Sequence, residues 1–436
     1  MGVPGPTRAE RENIRAAVRW ACEHGRADDA IAIASGLAYA WYISGSIKES
    51  LPLLTSALAM DGDTSVEQRA VGEAWAGWMT QMAGGASAEA VERAEHAVVI
   101  ARAASSRAFA LAAGFAAMFR AFRGLSVEAS AIVDEASARL DREADQWGQA
   151  WIDWVRSGLV HKGGDPQGAT ELLRASVEGF TQLHDQCGIA IASIRLGELA
   201  ELRGDYAQAR SFTLFAYNAL MVSGAKSFNG SSLATRLGNI AVLQGKFNEA
   251  AEWHELGLRR ARDGEFPGAI AQAFSGMGEA ARRSGQLGPA VVYHREALSR
   301  YEASGSVEGA TFSLACLGLI ATDQGVPDQA IALHTQSLLK AHGSSDQRGV
   351  AFALEGLAGA DAARDEAQAA AALLGVAEAL RERIGGPPPV AHRGGVDQAE
   401  RRARSQLSEQ AFASEHSRGR ADAAAIVADL VSDGTT

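Results

Sequence analysis

The stretch Gly309–Gly349, GATFSLACLGLIATDQGVPDQAIALHTQSLLKAHGSSDQRG, reads as two short helices joined by a tight turn at Gly325-Val326-Pro327. Phe312, Leu314, Leu317, Gly318 and Ile320 before the turn, and Ala330, Ile331, Leu333, Leu338 and Leu339 after it, follow the i, i+3, i+4, i+7 spacing of one buried helical face. A helical hairpin is the simplest structure that satisfies both halves.

The hairpin repeats. Its marker, a turn glycine followed five residues later by a small residue, is Gly325/Ala330 here. It recurs at Gly285/Ala290, Gly245/Ala250, Gly204/Ala209, Gly164/Ala169, Gly124/Ala129, Gly85/Ala90 and Gly45/Ser50, and continues as Asp365/Ala370, in steps of 39 to 41 residues. Seven positions after the first small residue stands a second: Ala57, Ala97, Ala136, Ser176, Ala216, Gly257, Ala297, Ser337 and Ala377. Seven residues are two helical turns, so both lie on one stripe of the second helix, where a neighbouring backbone can approach. Seven residues before the turn come Ser157, Gly197, Gly238, Gly278, Gly318 and Ala358, so the two helices are expected to touch through small residues.

This pattern resembles the tetratricopeptide repeat, over roughly residues 30–384. The resemblance implies an all-α, right-handed superhelical solenoid of about nine helical hairpins. The period near 40 exceeds the family's usual repeat of about 34, and the excess falls in segments such as HDQCG, ARDGEFPG and SGSVEG, which implies longer helices or connections. An elongated stack then replaces the two or three globular domains that 436 residues would otherwise suggest.

Outside the solenoid, residues 1–29 read as a lead-in helix with Thr7 and Glu10 at capping-box spacing, 385–395 as a Gly/Pro linker opened by Gly385-Gly386-Pro387-Pro388-Pro389, and 396–436 as a helical cap or tail with short helices over 396–407 and 421–430. The uncharged run Ala30–Ile47 approaches the length of a membrane span, but Ser35, Gly36, Ser44 and Gly45 and its place in the repeat make it a buried helix. No signal-peptide pattern opens the chain, and Cys22, Cys187 and Cys316 are too few and too scattered for a disulfide framework or a cysteine metal site, so a reducing cytoplasm fits best.

A formal charge of −11 argues against direct nucleic-acid contact, since domains that bind it are usually basic. The basic runs at Arg259–Arg262 and Arg401–Arg404 have no interleaved aromatic residues and read as solvated faces.

Two stretches carry a wider resemblance. ENIRAAVRWACEHG with AWYISGSIKESLPLLTSAL is similar to the start, and RGVAFALEGLAGADAARDEAQAAAALLGVAEALRERIGGPPP to the end, of the C-terminal helical-repeat sensor in ATP-dependent transcriptional regulators of the AfsR, LuxR and maltose-activator type. That resemblance implies a sensor or interaction module binding an inducer or a protein partner. It carries no ATPase or promoter-binding activity to this chain, because Gly245-Lys246 has Ile240 where a phosphate loop needs glycine and Phe247 where it needs serine or threonine.

Catalytic and cofactor motifs are not found. His254, His294 and His334 recur at one position of three consecutive hairpins, but rungs about 10 Å apart cannot share an ion whose histidine bonds are about 2 Å, so they are expected to be packing residues and no metal is expected. His254-Glu255 lacks the second histidine of a metalloprotease helix, where Leu258 stands. Gly276-Met277-Gly278 lies inside a helix without a preceding strand, and no nucleophile-elbow serine exists. A non-enzyme without cofactor is the expectation.

Binding is expected on the groove lined by the first helix of each pair. Positions that the tetratricopeptide resemblance assigns to that groove are Trp75, Met79 and Met82, then Leu111, Met118 and Phe122, then Trp151, Trp154, His161 and Lys162. Later repeats offer a polar set, Glu198, Glu201, Asn239, Glu279, Arg282 and Arg283. A ligand- or protein-binding sensor of a bacterial-type regulatory system is the reading these residues support, with a free-standing adaptor for protein partners as the alternative.

Overall fold

In the computed structural model, residues 8–39, 41, 47–84, 88–141, 144–222, 228–384 and 390–434 are described. Thr7, Gly45, Gly85 and the Gly385–Pro389 run lie outside them. Every regular element among the described residues is a helix. In chain order these are α1 (Arg8–Glu23), α2 (Ala27–Gly36), α3 (Ile47–Leu58), α4 (Val66–Gly84), α5 (Ala88–Ala101), α6 (Ser106–Phe122), α7 (Ser126–Arg139), α8 (Gln146–Lys162), α9 (Pro166–Gln182), α10 (Gln186–Leu202) and α11 (Tyr206–Val222). There follow α12 (Phe228–Leu243), α13 (Phe247–Asp263), α14 (Pro267–Arg283), α15 (Leu287–Ala303), α16 (Val307–Asp323), α17 (Pro327–Gly343), α18 (Gln347–Ala363) and α19 (Ala367–Arg383). Three more close the list: α20 (Val390–Gln406), α21 (Glu409–Ala421) and α22 (Ala423–Gly434). The chain divides into two compact units, residues 1–201 with 207–230, and residues 202–206 with 231–436.

Among the described residues the first (A) and second (B) helices pack together in α4–α5, α6–α7, α8–α9, α14–α15, α16–α17 and α18–α19, and within each unit B packs on the next A where α5 meets α6, α7 meets α8, α13 meets α14, α15 meets α16 and α17 meets α18. From α13 to α19 each helix is 17 residues long. Two such helices and two three-residue turns account for the 40-residue step, so the excess over the usual repeat lies in longer helices and not in longer connections.

Both turns use one geometry. Gly325 has φ +75°, its N–H donates to the Thr322 carbonyl at 3.0 Å, and the Val326 N–H donates to the Ala321 carbonyl at 3.0 Å, which is the Schellman closure of a helix end. The return turn after α17 copies it: Ser345 has φ +59°, and the Asp346 N–H donates to the Ala341 carbonyl at 2.9 Å. His184, Glu265 and Gly305 take the same left-handed conformation in other return turns, and Asp365 takes it in place of the last marker glycine. The return turn left little trace in the sequence because only Gly305 among these four residues is a glycine.

Where A meets B, the small residues let backbones touch. Ser176 Oγ donates to the Ala150 carbonyl at 2.8 Å and Ser337 Oγ to the Thr311 carbonyl at 3.0 Å, each reaching from helix B to its own helix A. A Cβ at Gly257 would sit 3.1 Å from the Ser231 carbonyl oxygen, and one at Gly77 3.0 Å from that of Ala90. In the second repeat Gly77 makes the close approach, one residue before Trp78.

Two expectations change in detail. The uncharged run from Ala30 is not one long helix, since α2 ends at Gly36, and no described helix is long and apolar enough to cross a membrane. Residues 390–395, expected in an extended linker, are the first turns of α20, and the two expected terminal helices are three. Gly394 and Gly395 cost α20 about 1 kcal/mol each in propensity, but Val396, Ala399 and Ala403 pack into the core of the last hairpin and outweigh that cost. Phe412 of α21 enters the same core beside Leu373, Leu374 and Leu380. Here α21 crosses α19 glycine to glycine: a Cβ at Gly419 would overlap the Ala372 carbonyl, and one at Gly375 that of His416.

Gly325 has open space around its missing Cβ, so Gly325→Ala tests backbone conformation alone and is expected to destabilise by about 1 kcal/mol in guanidinium unfolding. Ser345→Gly should stabilise by a similar amount, and equal midpoints for both variants would reject the turn assignment. Gly419→Ala should cost about 1–3 kcal/mol by prising α21 from α19, read as earlier amide exchange in α21 than in the native chain.

Candidate functional site

In the first unit the A helices α4, α6 and α8 carry a continuous ladder of aromatic rings. Trp78 stacks on Phe115 with centroids 5.1 Å apart, Phe115 meets Trp151 edge-on at 5.2 Å, and Trp151 stacks on Trp154 at 5.1 Å. Trp75 joins from the side, 5.1 Å from Phe115, and Tyr39 continues the ladder at 5.8 Å from Trp75. Gly114 makes room for the Trp151 indole, which donates to the Ala110 carbonyl at 3.1 Å. Each aromatic contact of this kind adds about 1 kcal/mol beyond burial, so the ladder stiffens the unit as well as filling it.

The ladder draws four of the ten expected groove residues inward. Trp75, Met79, Leu111 and Trp151 are buried, because their rings and chains bridge neighbouring hairpins. Met118, Trp154 and His161 are half-buried, and Met82, Phe122 and Lys162 are exposed, Phe122 to 69%. Six of the ten thus offer surface, on α4, α6 and α8. Trp154 is the hinge between core and surface: one face stacks on Trp151, the Arg195 guanidinium lies 5.7 Å from its ring centre, and its indole Nε1 is buried with no hydrogen-bond partner among the described residues. Lys162 donates from Nζ to the Ala121 carbonyl at 2.6 Å, which places its charge beside the C-terminal end of α6.

The expected polar set divides. Glu198 and Glu201 belong to the first unit and are half-buried, whereas Asn239, Glu279, Arg282 and Arg283 belong to the second. Glu279 accepts two bonds from Arg282, at 2.9 and 3.0 Å, and one from Arg283 at 2.5 Å, and Arg282 also reaches Asp323 at 3.1 Å. Burial alone raises the Glu279 carboxyl, but the two guanidiniums outweigh it and hold it down at about 2. This cluster is a charge-paired network of one carboxylate with two guanidiniums.

His254, His294 and His334 are fully buried, with no hydrogen-bond partner on any ring nitrogen among the described residues. They occupy the core position that Leu54, Val133, Leu173 and Leu374 fill in other hairpins. The His254 ring is pressed between Gly238 and Gly276 and the His334 ring between Gly318 and Gly356, where a Cβ would overlap the imidazole. Desolvation holds all three down at about 4, so they are neutral core groups.

A further site has no counterpart in the repeat pattern. A cavity of about 800 Å³ opens where α19, α20 and α21 meet, floored by Leu374, Ala377, Val396 and Phe412. Arg381 and Glu355 form a buried bidentate pair in its wall at 2.8 and 3.1 Å, and burial raises Glu355 with Arg381 offsetting part of that rise. Its rim is charge-paired: Arg404 with Glu400 and Glu409, Arg420 with Glu378 and Glu382, and His416 with Glu378 at 3.1 Å.

A histidine that is neutral in the fold and charges on unfolding contributes fully above its unfolded pKa near 6.5, and that contribution is lost as pH falls through the window down to about 4. Each such ring costs about 2 kcal/mol at pH 5. His334→Phe, which keeps a flat ring, should therefore narrow the stability difference between pH 7.5 and pH 5 by about 2 kcal/mol in guanidinium titrations; an unchanged difference rejects the neutral-core assignment.

No family model matches the sequence, and no curated protein matches it. Solved structures do. A Rap protein complexed with competence and sporulation factor is similar at 12% identity and TM-score 0.55, over 89% of this chain and 99% of that one. Aspartyl phosphate phosphatase F from Bacillus subtilis is similar at 14% identity and TM-score 0.54, over 82% and 95%. A signal transduction ATPase with numerous domains, carrying a tetratricopeptide repeat sensor, from Pyrococcus horikoshii is similar at 14% identity and TM-score 0.51, over 83% of this chain and 55% of that one. At these identities the likeness concerns the fold: an all-α array of helical hairpins of tetratricopeptide type.

Proposed function

We propose that the chain is a non-catalytic binding module that takes a peptide, or an extended segment of a protein partner, on the A-helix side of its first unit, and serves as the sensor part of a transcriptional regulatory system. The observation that carries the site is the surface made by Met82, Met118, Phe122, Trp154, His161 and Lys162. It is apolar and adaptable, lies on three successive A helices, and has a cation at one edge. Trp154, half-buried between Trp151 and the Arg195 guanidinium, gives that surface a rigid aromatic edge.

Two of the similar folds support this use by what they carry: the Rap protein is complexed with competence and sporulation factor, and the signal transduction ATPase carries a tetratricopeptide repeat sensor. The terminal likeness to sensor regions of AfsR, LuxR and maltose-activator type points the same way. A bound segment then signals only if it binds two arrangements of the hairpins with different affinity.

Peptide display on the purified chain should return apolar sequences with a hydrogen-bonding backbone. Their binding is expected to fall about 30-fold in Trp154→Ala and in Phe122→Asp, with unchanged thermal unfolding for the exposed Phe122 variant. Display that enriches nothing, or peptides that bind both variants as well as the native chain, would remove the site.

A further inference from the structure

The three buried histidines are not equivalent. Each ring faces two positions on flanking A helices: one on its own hairpin and one on the next. For His254 these are Gly238 and Gly276, and for His334 they are Gly318 and Gly356. For His294 the near position is again glycine, Gly278, but the far one, in step with Gly276 and Gly356, is Cys316. The residue after the near glycine also changes, from Asn239 to Glu279 to Leu319. Only the middle rung therefore gathers a thiol, an imidazole and a carboxylate.

The ligand atoms of Glu279, His294 and Cys316 all lie within 4.8 Å of one another. Both His294 ring nitrogens lack a hydrogen-bond partner among the described residues, although the residue has 0% exposure. Glu279 spends one acceptor position of Oε2 on Arg282 and two of Oε1 on Arg282 and Arg283, which leaves a lone pair of Oε2 unused. A zinc-type ion with bonds of about 2.0–2.3 Å needs its ligand atoms roughly 3.3–3.8 Å apart, so side-chain movements of about 1 Å close the set. Access runs along Glu279, 19% of whose side chain is exposed, beside a cavity of about 300 Å³ walled in part by Arg282, Arg283 and Asp323.

We propose that Cys316, His294 and Glu279 form a binding site for a thiophilic divalent cation of the zinc class, set in the second unit where the histidine ladder carries Cys316 and Glu279 in place of the Gly276/Gly356 and Asn239/Leu319 of its neighbouring rungs. Thiolate with imidazole selects zinc-class ions over magnesium or calcium, whose preference is for oxygen alone. On binding, the Cys316 Sγ–H bond breaks and its proton leaves to solvent as the sulfur–metal bond forms, while His294 and Glu279 bind without losing a proton. The ion fastens α14 and α15 to α16. The proposal is independent of the peptide site in the first unit.

Metal-freed full-length chain is titrated with Co²⁺, then Zn²⁺, with Mg²⁺ as control. One equivalent of Co²⁺ should produce near-ultraviolet thiolate-to-cobalt absorption, Zn²⁺ should abolish it at one equivalent, and Mg²⁺ should leave it unchanged. Cys316→Gly copies the neighbouring rungs, so it is expected to fold; it should lose the absorption and about 100-fold or more in Zn²⁺ affinity. Cys316→Ala serves as a second thiol-free variant, and His294→Asn should weaken Zn²⁺ strongly. His254→Asn, on a rung with no thiol, should leave both readouts unchanged. Absence of cobalt absorption in the native chain, or absorption that survives in either Cys316 variant, overturns the proposal.

Discussion

Steric room between facing helices is the constraint on which the array depends. At one level of each hairpin the neighbouring backbone occupies the space a side chain would need, as Gly257 against Ser231, and Ser176 and Ser337 bonding carbonyls of the opposite helix, make plain. Once that level is fixed, helix length and turn geometry follow. Schellman closures at both ends keep A and B equal in length, and equal helices stack in register. Larger side chains then sort themselves by whether they point between hairpins or away from them.

That ordering explains what could be read in advance. Turn glycines and small residues are visible one by one, because the conformation or the clearance excludes alternatives, and they gave the pairing and the period. The return turns were harder, since His184, Glu265 and Ser345 accept a left-handed conformation at a tolerable cost and leave no marker. Helix α20 was hidden by Gly394 and Gly395, whose weak propensity says nothing of the apolar face behind them.

The candidate surface was legible in part for a related reason. Periodicity assigns Trp75 and Trp154 to the same helical face, but burial depends on what stands opposite. Trp75 meets Phe115, while Trp154 has a neighbouring ring on one side only. Contacts between hairpins 40 residues apart decide this, and no local window contains them. The same holds for the histidine ladder, where sequence spacing excludes one shared ion yet cannot reveal that a single rung faces a thiol.

The crossing of α21 over α19 bears on how such an array can lengthen. With Gly375 against the His416 carbonyl and Gly419 against the Ala372 carbonyl, α21 occupies a face of α19 on which a further helix would otherwise pack. Between α13 and α19 every helix has 17 residues, so a duplicated 40-residue module is accommodated there without a change of form. Insertion there leaves the α19–α21 contact intact, whereas a hairpin placed on that face of α19 would have to displace α21.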